Sequence, residues 1–199
     1  MTLPPAELLG HFDLEAEERT RSLELTLEPP PHAAIDRGFC DLISRFLSDY
    51  AGRLHAENNP SGGDFADAVC YLANELLENA VKYRCGGPVQ LGFCLQPAHF
   101  VLVIRNEMLA SRAPEFRQRV QQMLESDPTE LLMEQAERNA ADPDSHGSGI
   151  GFLTLLTDYG ALLGWKLQHK VQDAGTDQAR ITLTTMASLV LGNMDPPAA

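Results

Sequence analysis

The sequence predicts an α+β domain on three observations: two strand candidates in mid-chain joined by a short turn that read as a hairpin, two further strand candidates near the C-terminal end, and amphipathic helical runs before and between them. At 199 residues the chain fits one domain with one core. Hydrophobic residues make up 44% and charged residues 22%, ordinary globular usage that points away from disorder and from a disulfide scaffold.

Residues 1–20 are acidic and weakly patterned, and read as an N-terminal extension of a domain spanning 21–187, with a frayed tail at 188–199. Leu23, Leu25 and Leu27 alternate with polar neighbours as a half-buried strand does, and prolines at 29–31 end it. From 33 to 54, Ile35, Phe39, Leu42, Ile43, Phe46, Leu47 and Tyr50 recur at helical spacing. After turn residues at 59–64, Asp64 is the expected N-cap of a second helix to Tyr83, with Phe65, Val69, Leu72, Leu76 and Ala80 on one stripe. Strands at 89–95 and 100–106 form the hairpin. Helices follow at 114–125, at 128–140 with Asp127 as cap, and at 150–159, then strands at 165–171 and 179–185. The aromatic positions Phe39, Phe46, Tyr50 and Trp165 read as core.

Lysine and arginine number 15 against 28 aspartate and glutamate, for a formal charge of -13. Such a surface repels a phosphate backbone and an anionic membrane, so neither nucleic acid nor membrane is an expected partner. A nucleotide remains compatible, because backbone amides at a helix start and a metal ion hold phosphates locally. Cys40, Cys70, Cys85 and Cys94 show no CxxC spacing and read as reduced core thiols. With no basic leader and no run near the roughly 18 apolar residues of a span, a cytoplasmic protein is expected.

Two motifs carry chemistry. In NELLENAVKY, positions 74–83, Glu75, Asn79 and Lys82 are spaced four and three apart and share one helical face. A carboxylate that can accept a proton, an amide oxygen that can ligate Mg²⁺ and a cation that can sit near phosphate are parts of a phosphoryl-transfer site. The alternative is a solvated charged stripe. In HGSGIGFLTLL, Gly147, Gly149 and Gly151 stand where a polar loop becomes an apolar helix, so bare amides and the helix dipole can meet an anion. A loop followed by close helix packing would use the same glycines. Walker and Rossmann patterns do not fit, since GxxxxGK(S/T) is absent and Phe152 fills the last glycine of GxGxxG.

ExxxNAxKY resembles the N-box of the GHKL ATPases, the superfamily of histidine kinases, gyrase, Hsp90 and the anti-sigma-factor serine kinases, and GSGIG resembles their second glycine box. The resemblance covers residues 20–186 and extends to the order of elements. It implies a two-layer α/β sandwich of the Bergerat type, with a mixed, mostly antiparallel sheet covered by helices on one face. It further implies ATP and Mg²⁺ as cofactors, Asn79 as metal ligand, and Lys82, Asn106, Gly147, Ser148, Gly149, Ile150 and Gly151 as nucleotide-binding residues under a lid at 139–148. Histidine kinases usually carry asparagine at the position of Glu75, whereas ATP-hydrolysing members and anti-sigma kinases carry a glutamate base. Glu75 therefore favours hydrolysis or serine/threonine phosphorylation, and none of the six histidines stands in a phosphoacceptor box.

The pattern departs at 106–110, where NEMLA replaces the family's DxGxG and Asn106 replaces the aspartate that bonds the adenine amine. The resemblance is to bacterial regulators associated with STAS-domain or other two-component signalling partners. The expected function is an ATP- and Mg²⁺-binding regulator that acts as a serine/threonine kinase on a STAS-type partner. The alternative is a non-catalytic module that sequesters a partner, and a homodimer is expected by analogy.

Overall fold

The computed structural model describes residues 4–20, 23–28, 37–56, 63–141, 149–170 and 179–191. Strands β1 (Glu7–Gly10), β2 (Leu23–Leu27), β3 (Val89–Leu95), β4 (His99–Leu109), β5 (Leu162–His169) and β6 (Arg180–Val190) form one sheet in the order β1-β5-β6-β4-β3-β2. Every neighbouring pair is antiparallel, so the sheet expected to be mixed is antiparallel throughout the described residues. The hairpin is present: Leu95 lies opposite Phe100, and the Gln96 N–H donates to the His99 carbonyl at 2.8 Å. The prolines at 29–31 and most of the turn at 59–64 lie outside the described residues.

The helices are α1 (Leu14–Arg19), α2 (Arg37–Ala56), α3 (Gly63–Tyr83), α4 (Ala113–Glu125), α5 (Pro128–Ala141) and α6 (Gly151–Thr157). The α3 stripe is as the periodicity predicts, with Phe65, Val69, Leu72, Leu76 and Ala80 all buried against the sheet. Each large apolar side chain buried this way contributes roughly 1.5–3 kcal/mol. The helix starts at Gly63, so Asp64 sits in its first turn rather than at the cap. Asp127 does cap α5, accepting from the N–H groups of Thr129 at 2.8 Å and Glu130 at 3.1 Å.

Helix α2 is rotated from its expected seating. It buries Cys40, Ser44, Leu47, Ser48 and Ala51, while Phe39, Leu42, Phe46 and Tyr50, read as a core stripe, are exposed. Small residues explain the choice. The Ser48 hydroxyl donates to the Ala66 carbonyl at 2.6 Å, and a Cβ on Gly52 would lie 3.3 Å from the Ala66 methyl. Close approach of α2 to α3 favours the small face over the bulky one. Trp165, by contrast, is fully buried as expected.

The N-terminal segment belongs to the sheet. Glu7–Gly10 pairs with β5 as an edge strand, with Leu9 opposite Trp165, so the domain boundary expected at residue 21 falls inside the folded unit. Helix α1, capped by Asp13 through the N–H groups of Glu15 and Ala16, then lies on the face away from the other helices. Helices therefore occupy both faces, not one. Its path needs glycine at 164, where a Cβ would come within 2.4 Å of the Phe12 nitrogen. At the other end β6 continues to Val190, past the expected limit of 187.

Candidate functional site

Five of the residues singled out by sequence, Glu75, Asn79, Lys82, Gly149 and Gly151, lie where α3 passes the start of α6. The Glu75 carboxyl rests against Gly151, so closely that a Cβ there would lie 1.6 Å from Glu75 Oε2. Tyr71, one turn earlier on α3, hydrogen-bonds the Glu75 carboxyl and also Thr154 of α6, and its ring stacks on Tyr159 with centroids 5.2 Å apart. Burial pushes the Glu75 carboxyl above its usual range and the Glu78 charge adds to the rise, while the bond from Tyr71 and the Arg37 charge pull against it. A carboxylate held this way is a better proton acceptor near neutral pH than an exposed one.

Asn79 donates from Nδ2 to the Glu75 carbonyl at 2.7 Å. With its nitrogen committed to the helix backbone, the amide presents its oxygen, the atom that a hard divalent cation takes. Asn79, Lys82 and Gly149 together line a cleft of about 510 Å³ between α3, α4, α5 and the entry to α6. That volume lies within the range of small-molecule sites, roughly 300–1,000 Å³. Apolar walls come from Phe116, Val120, Leu131 and Phe152, and the cations Arg119 and Arg138 stand on the α4 and α5 sides. Phe116 meets Tyr83 edge-on, with ring centroids 5.5 Å apart. Gly149 has φ +96°, a conformation open to glycine, and its Cα faces Gln135 of α5.

The remaining positions are placed differently. Ile150 precedes α6 and its carbonyl accepts the Thr154 N–H at 2.9 Å, so the helix begins one residue later than expected. Gly147 and Ser148 lie outside the described residues, as does the expected lid apart from 139–141, the last turn of α5. Asn106 does not line the cleft. Residues 106–109, where the family's glycine-containing loop would begin, continue β4 opposite β6, with Asn106 across from Leu183. Without glycines, and with Met108 buried in the core, the segment stays in the ladder. Asn106 is 2% exposed, and its Oδ1 has no hydrogen-bond partner among the described residues.

No family model and no curated protein matches the chain. A chain in the crystal structure of the SiaB–SiaC complex from Pseudomonas aeruginosa matches with a TM-score of 0.58 and 19% identity, over 90% of this chain and 99% of that one. The likeness is one of fold. No helix among the described residues is long and apolar enough to cross a membrane.

Sequence reasoning missed Tyr71 and the cations of α4 and α5. Tyr71 was within reach, because it stands four residues before Glu75 and so one turn away on the same face. Arg119 and Arg138 each pair with a glutamate four residues earlier, Glu115 and Glu134, a pattern indistinguishable from an ordinary solvated helix surface.

Proposed function

We propose that this chain is a cytosolic regulator of the GHKL type, with a Bergerat fold, that binds ATP with Mg²⁺ and phosphorylates a serine or threonine of a STAS-type partner protein. The observation that carries the reading is the convergence of Asn79, Lys82 and Gly149 on one cleft, with Glu75 one turn before Asn79 on α3 and its carboxyl against Gly151 rather than in the cleft lining. The residues fit the group: Asn79 offers an oxygen to the cation, Lys82 and the α6 entry offer positive charge to phosphates, and the apolar walls suit a base. The nucleotide would supply the phosphoryl group, with Mg²⁺ offsetting its negative charge.

Within this reading Glu75 accepts the proton of the acceptor hydroxyl, and its raised proton affinity suits that task. Tyr71 holds the carboxyl in place. The SiaB–SiaC structure, a complex of two proteins, supports a protein partner for a chain of this fold. The experiment is phosphate transfer from ATP to a STAS protein encoded beside this one. Wild type should transfer, Glu75→Ala should not, and Glu75→Ala should retain nucleotide. Equal transfer by both proteins removes Glu75 as the base.

A second reading is favoured by Asn106, which is buried in the sheet instead of opening onto the cleft. On that reading the chain is a non-catalytic module that sequesters its partner. It predicts partner binding that is the same with and without MgATP, and no phosphate transfer at any nucleotide concentration.

A further inference from the structure

Helix α2 carries Asp41, Arg45, Asp49 and Arg53, four exposed charges at successive i, i+4 positions that alternate in sign along one row. Arg45 and Asp41 already lie 3.1 Å apart. Beside this row runs the apolar stripe of Phe39, Leu42, Phe46 and Tyr50, between 37% and 63% exposed, on the side of the helix away from buried Leu47 and Ala51. Phe46 and Tyr50 stack with centroids 6.2 Å apart, and Tyr50 meets Phe93 edge-on, so the stripe is fixed on the sheet's β3 side and does not swing freely.

We propose that α2 is the contact surface between two copies of this chain, packed antiparallel about a two-fold axis. The charge row selects a second copy as occupant. Read in reverse, an alternating row of four begins with the opposite sign. A second α2 running antiparallel therefore sets Asp41 against the partner's Arg53 and Arg45 against the partner's Asp49, with the same pairs repeated by symmetry. Parallel pairing in register would set like charges together.

The axis then falls beside position 47, and Phe46, one residue away, meets the partner's Phe46 near the centre of the contact. Leu42 and Tyr50 lie to either side and cover the rest of the stripe. The row carries no net charge, which matters because each copy carries -13 and repels the other elsewhere. The contact does not depend on nucleotide, so it goes beyond the phosphotransfer reading and stands or falls separately.

The test is light scattering after size exclusion on the full chain at about 100 µM, where a contact with a Kd near or below 10 µM is populated. Wild type is expected at twice its 21.8 kDa. The double variants Asp41→Arg/Asp49→Arg and Arg45→Asp/Arg53→Asp should each run as monomers of unchanged helicity by circular dichroism. Mixed in equal amounts, they should regain the dimer. A monomeric wild type, a double variant that dimerises alone, or a mixture that stays monomeric would each overturn the proposal. Because all four positions are exposed, loss of the dimer cannot be ascribed to a broken core.

Discussion

On the helical face of the sheet, Leu102, Ile104, Trp165 and Leu183 meet α3 and α6 in one continuous apolar core. On the opposite face, Glu17 stands between Arg105 and Lys166, and the apolar cluster among the described residues is a small one around Val101, Val103 and Met186. The helical face is covered by α3 and α6, whose apolar side chains join those of the sheet in one buried cluster. Among the described residues the back face has one short helix, α1, held by a carboxylate that two cations share. The proposed site lies at the margin of the helical layer, where Asn79, Lys82 and Tyr83 of α3 reach the cleft.

The comparison makes the helical face the source of stability, and the largest test is there. Trp165→Ala removes the largest fully buried side chain, and it should cost about 3–5 kcal/mol, read as a lowered denaturant midpoint with an unchanged slope. Glu17→Ala comes next, because it leaves Arg105 and Lys166, 16% and 15% exposed, without their shared partner. A loss of about 2–3 kcal/mol is expected, below that of a fully buried pair because both cations keep some water. Since α1 is remote from the cleft, Glu17→Ala should leave nucleotide affinity unchanged at temperatures where it remains folded. A parallel loss of affinity would mean that the two faces are coupled.

Smaller effects sharpen the description of the cleft margin. Gly151→Ala should destabilise by about 1–3 kcal/mol, since the new Cβ displaces the Glu75 carboxyl. Combined with Glu75→Ala, it should cost clearly less than the sum of the two single changes. Additive effects in that double-mutant cycle would contradict the contact.

Glu75→Gln probes the same carboxyl through pH. A raised native pKa means that the folded state holds this proton more tightly than the unfolded chain. Wild-type stability should therefore fall as pH rises from the ordinary value of 4.5 through the raised one. Glu75→Gln should flatten that fall, matching wild type in acid and exceeding it at neutral pH in thermal melts. A difference that does not change with pH would mean that the carboxyl is not perturbed.

Much of this was legible in the sequence, and for particular reasons. The α3 stripe and the hairpin were readable because burial on one side imposes a period, and Asp127 because a cap has its own residue chemistry. The shared helix of Glu75, Asn79 and Lys82 was readable because helix periodicity fixes their spacing, and Asn79 and Lys82 reach the cleft while Glu75 turns to Gly151. What could not be read depended on contacts distant in sequence. The seating of α2 is decided by how closely Ser48 and Gly52 approach Ala66, and hydrophobicity alone favoured the wrong side. The strand at Glu7–Gly10 is four residues long, and it pairs with residues more than 150 positions away. Asn106 ends up within the ladder because β4 has nothing to stop it before Leu109.

Titration calorimetry of ATP, with and without Mg²⁺, into wild type and Asn79→Ala tests the central claim that the α3–α6 cleft is a metal–nucleotide site. Wild type should bind MgATP with a Kd of about 1 mM or tighter, and Asn79→Ala should weaken this at least about tenfold with Mg²⁺ but little without it. No binding to wild type at millimolar ATP, or equal Mg²⁺-dependent binding by both proteins, would contradict the account.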